Sequence, residues 1–347
     1  METARNFDDG GVEEGDMSMD ALGRRALLVG IDHYDHFPPL SGCVNDVTVL
    51  AKLLEKNEDG TGNFDCQTLL DPGSSQDVTR PVLRQHLKQL FDDFKGDILF
   101  YFSGHGHGNP TDVGGYLVTH EGQPQDPGVP MDELLTRAMK SNARSVLLIL
   151  DCCYSGGLGD PAILQSAGAF QPSLLKEGLT ILAASRSNQP ATEQGGHGLF
   201  TRLVVEALKG GAADVRGLIS AASIYGYVEQ ALNAWHQRPL YKSHAARLAP
   251  VRRCLPAVPD SLLLELPTLF STADSPYPMD PSYEFTHPSA IKEHVEIFNK
   301  FKVLRDARLL TTEGRRDLYF VALDSQQAQL TPLGQFYWNL AKNNRIS

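Results

Sequence analysis

Apolar residues run almost unbroken through four stretches of strand length, "RALLVGI", "DILFYFS", "SVLLILD" and "LTILAAS". Runs of this kind predict strands buried on both faces, as in a parallel sheet covered on each side. Two shorter runs, "CQTLL" and "GYLVTH", are further strand candidates. Between them the period changes to that of amphipathic helices, in "CVNDVTVLAKLLEK", "TRPVLRQHLKQLFDDF", "MDELLTRAMK" and "GLFTRLVVEALKG". The second of these opens on Thr79 as an N-cap with Pro81 in its first turn. Buried strands alternating with amphipathic helices predict an α/β fold with a mostly parallel sheet flanked by helices. In such sheets reactive groups gather at the carboxyl ends of the strands, and His105 and Cys153 each follow one.

The alternation stops after "LAPVRRCLPAVPD", where prolines cluster. The expected organisation is an acidic leader over 1–22, a main domain over 23–256, a connector over 257–284 and a small α+β domain over 285–347. The first twenty residues hold seven acids against one Arg, a composition that predicts disorder. In the last domain "AIKEHVEIFNKFKVLRDARLL" reads as a helix, "DLYFVALD" as strand and "TPLGQFYWNLAKNN" as a final helix. The formal net charge of −11 argues against nucleic acid or an anionic membrane surface as a partner. No stretch reaches the roughly 20 apolar residues of a membrane span. Five cysteines without a framework spacing predict free thiols in a reducing compartment, hence a cytoplasmic location.

A thiol with an ordinary pKa is only slightly ionised at neutral pH, so a cysteine nucleophile needs a base within reach. "SGHGHG" supplies an imidazole on a glycine-flanked turn, and "DCCYSGG" supplies a thiol at a strand end with small residues behind it. Other chemistries fit less well. A zinc set of His105, His107, Cys152 and Cys153 lacks the two-residue spacing between cysteine ligands. A serine hydrolase built on Ser155 lacks the G-x-S-x-G elbow.

Taken in order, "LSGCVNDV", "YFSGHG", "DCCYSGG" and "LTILAASRSNQPATEQGGHGLFT" resemble the caspase-like cysteine peptidases over about residues 22 to 256. His105 lies 48 positions before Cys153, close to the interval of about 50 in caspases. The likeness is to the metacaspase and bacterial orthocaspase branch, because the Q-A-C-x-G motif of animal caspases is absent. The resemblance implies a caspase-hemoglobinase-like sheet, with His105 as general base and Cys153 as nucleophile. It implies an oxyanion hole from the N–H groups of Gly106 and Cys153, and an acidic S1 pocket from Cys43, Asp46, Ser103 and Asp151. Such a pocket takes Arg or Lys at P1. Leu40 stands where animal caspases carry one of the arginines that bind aspartate.

Cys152 is then expected to be buried on the far side of the strand. The calcium-dependent members carry an acidic cluster. Asp160 and Asp132 match two of its positions, but His120 occupies a third, so no cofactor is expected and calcium is doubtful. Between the nucleophile and "LTILAAS" stands a single basic residue, Lys176, as the one site there for self-cleavage. Otherwise an activating protease or regulatory partner is implied, as for a zymogen. Bacterial relatives serve regulated death or antiviral defence. The C-terminal unit resembles a winged helix, yet its nine Lys and Arg against six Asp and Glu do not gather on one face, which favours protein contact over DNA. The rival reading is a catalytically silent scaffold that binds basic peptide segments.

Overall fold

In the computed structural model of the protein, the described residues are 23–73, 77–108, 115–152, 175–184, 193–194, 197–232, 239–244 and 249–346. Cys153, Ser155, Asp160 and the acidic leader lie outside them. The chain divides into two compact units, one formed by residues up to 213 with 218–254, the other by 214–217 with 255–347.

Among the described residues the first unit is built on a six-stranded sheet. Five strands are β1 (Arg24–Ile31), β2 (Asp65–Asp71), β3 (Asp97–Ser103), β7 (Ser145–Asp151) and β8 (Leu179–Ala183). They pair in parallel in the order β8-β7-β3-β1-β2. The sixth, β9 (Leu240–His244), lies antiparallel along β8. The mostly parallel sheet expected from the apolar runs is therefore present. The expected strand "GYLVTH" is not part of it. That segment forms β5 (Tyr116–Gln123), which pairs antiparallel with β4 (Gly106–His107) and β6 (Asp126–Pro130) in a separate small sheet.

Alternation along each strand feeds two cores. Leu27, Val29 and Ile31 of β1 and Leu148 and Leu150 of β7 join helices α2 (Arg80–Phe91) and α3 (Met131–Lys140) on one face. Ala26 and Leu28, with Leu147 and Ile149, join α1 (Cys43–Glu55), α4 (Leu199–Glu206) and α5 (Ala221–Leu232) on the other. Each fully buried Leu or Ile removes about 1.5–3 kcal/mol worth of apolar surface from water, so a sheet apolar on both faces is stable only between two helical layers.

The second unit has its own core around Phe298, Phe301, Leu263 and Trp338. A three-stranded antiparallel sheet joins β10 (Tyr277–Pro278), β12 (Gln327–Leu330) and β11 (Leu310–Thr312) in that order, with β12 central. Two expectations change here. The stretch anticipated as an irregular connector carries helix α6 (Asp260–Leu269) and strand β10, and it belongs to this unit. Pro259 stands just before that helix and Pro267 in its last turn, so the punctuation that looked like a linker marks a helix start and end. "DLYFVALD" is helix α8 (Leu318–Leu323) rather than strand, opened by the Asp317 carboxylate, which accepts from the Tyr319 N–H. Leu318, Val321 and Ala322, at helical spacing, are its buried residues. Helices α7 (Lys292–Asp306) and α9 (Pro332–Lys342) complete the unit.

Candidate active site

The site grows from one rung of the sheet. Ser103, the last residue of β3, is the register partner of Asp151, the last residue of β7, and of Gly30 in β1. His105 follows two residues after Ser103, and Cys153 two residues after Asp151. The two expected catalytic residues thus leave from neighbouring strand ends, although Cys153 itself lies beyond the described residues.

His105 is held on three sides. Its N–H donates to the Tyr34 hydroxyl at 2.9 Å, and that hydroxyl donates to the Ile31 carbonyl at 3.0 Å. Its own carbonyl accepts the Val118 N–H at 3.0 Å. Its ring lies 4.9 Å from the Tyr34 ring and 5.9 Å from that of Phe37. Nε2 sits 2.8 Å from the Pro38 carbonyl oxygen. A carbonyl only accepts, so Nε2 carries the proton and the neutral imidazole keeps its lone pair on Nδ1. Gly104 is needed for this packing, since a Cβ there would meet the Tyr34 Oη at 2.6 Å. Tyr34 and Pro38 belong to the β1–α1 loop and were not singled out from the sequence. Gly106 begins β4 opposite Leu117.

The four expected S1 residues lie at one end of the sheet. Asp32, just past β1, places its carboxylate on the N–H groups of Cys43 and Val44, at 2.8 and 3.3 Å, and so caps α1 from outside the helix. Cys43 then hydrogen-bonds Ser103 through its thiol. Burial first, and then Asp32, Asp151 and Asp46, push that thiol well up, so Cys43 is a neutral wall and not a nucleophile.

Asp46 and Asp151 are both buried, at 1% and 6% exposure. Asp46 Oδ2 accepts the Gly198 N–H at 3.1 Å, and Asp151 Oδ2 accepts the Thr201 hydroxyl at 2.6 Å. They approach the same point, because a Cβ on Gly198 would lie 2.5 Å from Asp151 Oδ2 and 3.3 Å from Asp46 Oδ2. Behind Thr201, the Tyr101 hydroxyl is 2.6 Å from its Oγ1. Burial above all, with Asp151 and Asp46 adding, pushes the Tyr101 phenol well above its ordinary pKa. Gly198, Thr201 and Tyr101 are not singled out by the sequence, although the first two fall in the resembling segment "GGHGLFT".

Cys152 is buried in the core on the α2–α3 face, away from the carboxylates, as expected. Leu40 packs against the same core. Among the described residues, His105, His107 and Cys152 form no metal-ligand set. The group with such geometry is Asp71, Asp77 and His120, whose ligand atoms all lie within 4.8 Å of one another. His120 Nδ1 contacts Asp71 Oδ2 at 2.9 Å, while Nε2 is 3.4 Å from Asp35 and 3.7 Å from Asp77. Asp71 also accepts the N–H groups of Gly73 and Val78, so the set closes a loop as a histidine among carboxylates. Calcium takes six to eight oxygen ligands, and an imidazole tied in this way does not fit it. Asp132 lies in the first turn of α3.

The family model described as the caspase domain matches residues 23–249. Metacaspase-1 of Schizosaccharomyces pombe is 30% identical over 181 residues, covering 47% of this chain and 42% of that protein. Metacaspase-7 of Arabidopsis thaliana is 33% identical over 156 residues, covering 41% of this chain and 37% of that protein. The chain thus spans less than half the length of these relatives. A crystal structure of a Geobacter sulfurreducens protein overlays 67% of this chain and 98% of its own, with TM-score 0.49 and 18% identity.

Proposed function

This chain belongs to the caspase-domain family of cysteine proteases, and from that premise we propose that it is an endopeptidase cutting protein substrates after Arg or Lys. The observation that carries the reading is the convergence of two buried carboxylates, Asp46 and Asp151, at the carboxyl ends of the strands that lead to His105 and Cys153. Two anions at one buried point favour a cationic side chain and repel an aspartate. Arg is favoured over Lys because its planar guanidinium can meet both carboxylates with paired hydrogen bonds.

In this mechanism His105 Nδ1 takes the Cys153 thiol proton, with Nε2 fixed on the Pro38 carbonyl throughout. The thiolate attacks the carbonyl carbon of the P1 residue, and the oxyanion is held by the Gly106 and Cys153 N–H groups, a class of interaction that lowers such barriers by about 3–4 kcal/mol per donor. The imidazolium returns the proton to the departing amine. Water then opens the thioester, with His105 again as base.

No helix among the described residues is long and apolar enough to cross a membrane. A cytoplasmic enzyme under the control of an activating protease or partner, in a regulated-death or defence setting, is the fuller reading. Calcium dependence is not expected, because His120 stands at a position that is acidic in the calcium-dependent members.

The test is hydrolysis of matched fluorogenic peptides ending in Arg, Lys or Asp, with Cys153→Ala as control and with calcium added or chelated. Turnover of the Arg and Lys peptides that is lost in Cys153→Ala and changes less than about twofold with calcium is expected. Cleavage only after Asp, or turnover that survives Cys153→Ala, would overturn the proposal.

A further inference from the structure

The two pocket carboxylates accept hydrogen bonds from outside the strand and helix that carry them. Asp151 ends β7 and Asp46 sits on α1, and their Oδ2 atoms accept from Thr201 and Gly198, respectively, at the start of α4. Thr201 has one hydroxyl proton, and it goes to Asp151, because a carboxylate offers nothing in return. The Tyr101 hydroxyl, 2.6 Å from Thr201 Oγ1, must therefore be the donor in that contact. The result is a directed relay from Tyr101 through Thr201 to Asp151. All three side chains are on the same face of the sheet as α1 and α4. Tyr101 and Thr201 are fully buried, so water does not compete for either bond.

We propose that Thr201, backed by Tyr101, is a positioning residue for P1 recognition: its hydroxyl fixes the plane of the Asp151 carboxylate so that a guanidinium is preferred over an ammonium. This rests on the reading of Asp46 and Asp151 as the P1 pocket. Paired hydrogen bonds to a guanidinium require a fixed carboxylate plane, whereas an ammonium is a point charge that tolerates rotation. Loosening Asp151 therefore weakens Arg binding more than Lys binding, a signature that general loss of structure does not produce. A charge-assisted hydrogen bond in a buried site is strong enough for its loss to be read as roughly a tenfold change in affinity.

The experiment compares the full chain with Thr201→Val, Thr201→Ser and Tyr101→Phe, using Arg and Lys peptides and, independently of turnover, calorimetric binding of agmatine, which is arginine without its carboxyl group. Thr201→Val is expected to raise KM for the Arg peptide about tenfold with kcat within about threefold, and to lower the Arg-to-Lys ratio of kcat/KM. Thr201→Ser, which keeps the hydroxyl, is expected to stay within about twofold of the wild type. Tyr101→Phe, which removes one oxygen, is expected to shift the ratio in the same direction by about two- to threefold, and it carries the test if Thr201→Val does not fold. An unchanged Arg-to-Lys ratio and unchanged agmatine binding in Thr201→Val and Tyr101→Phe overturns the relay while leaving the pocket standing. So does a Ser variant as impaired as the Val variant. A wild-type protein that neither binds agmatine nor cleaves after Arg or Lys overturns the pocket reading and the relay with it.

Discussion

At the scale of residues, the site was only half legible in the sequence. His105, Cys153, Asp46 and Asp151 stand in motifs whose order and spacing carry information. Tyr34, Pro38, Gly198 and Thr201 act through contacts that cross from 50 to 152 positions of chain, and no local pattern announces such a pairing. His120 shows the same limit, since its three carboxylate neighbours come from separate loops and a strand end. Burial alone pulls its imidazolium down, but Asp71, first by charge and then by hydrogen bond, with Asp77 and Asp35, outweighs burial and raises its pKa. The His33 ring, 5.6 Å away, also faces it. A raised folded-state value means the stabilisation is complete below the ordinary histidine pKa of about 6.5 and disappears as pH rises through the folded value. The melting-temperature gap between wild type and His120→Gln is accordingly expected to be largest near pH 6 and to narrow steadily toward pH 9. A gap that widens with pH would refute this assignment, and scanning fluorimetry across a buffer series reads it directly.

At the scale of elements, the double-faced strands were legible because apolar runs leave little room for another reading. Strand β9, "LYKSH", was not, because it is polar along much of its length and lies at the sheet edge. Helix α8 reads as strand in the sequence because Leu, Tyr, Phe and Val also suit sheets, whereas the Asp317 cap starts a helix there. The approach to β8 bears on the expected self-cleavage site. Lys176 is tied down through both backbone and side chain. Its N–H donates to the Met139 sulfur at 3.1 Å and its carbonyl accepts the Leu179 N–H at 3.1 Å. Its ammonium donates to the Ala143 carbonyl at 3.0 Å and to the Ser141 carbonyl. Burial holds its pKa down. A protease cannot draw this side chain into a pocket without first releasing those bonds. Lys176→Ala is therefore expected to leave the pattern of any self-cleavage fragments unchanged on a gel, while lowering the melting temperature by about 2–4 °C through acceptors left unpaired. Loss of a fragment in this variant would show that the segment opens readily.

At the scale of the whole molecule, two units of different construction share one chain, a parallel sheet with a core on each face and a helix-rich unit with a small antiparallel sheet. The first was foreseen from alternation. The second was foreseen too short, because its opening helix was hidden among prolines. Chains with more than one core commonly depart from a single cooperative transition. Trp338 is buried in the core of the second unit with its indole N–H on the Phe270 carbonyl at 2.9 Å, and the only other tryptophan is Trp235. A Trp235→Phe variant should then report the C-terminal unit by fluorescence, and its denaturant midpoint is expected to differ from that of far-UV circular dichroism over the entire chain. Coincident midpoints would mean that the two units melt as one.

The rung that joins Ser103 to Asp151 has a consequence for how such a protein can change over generations. Side chains along a strand alternate between faces, so gaining or losing one residue within β7 would turn the carboxylate toward the opposite helical layer and bring an aliphatic side chain to its place. Lengthening a loop leaves that parity untouched. The count of residues in β3 and β7 is thus an inherited ruler, and variation in length is free to accumulate only outside it.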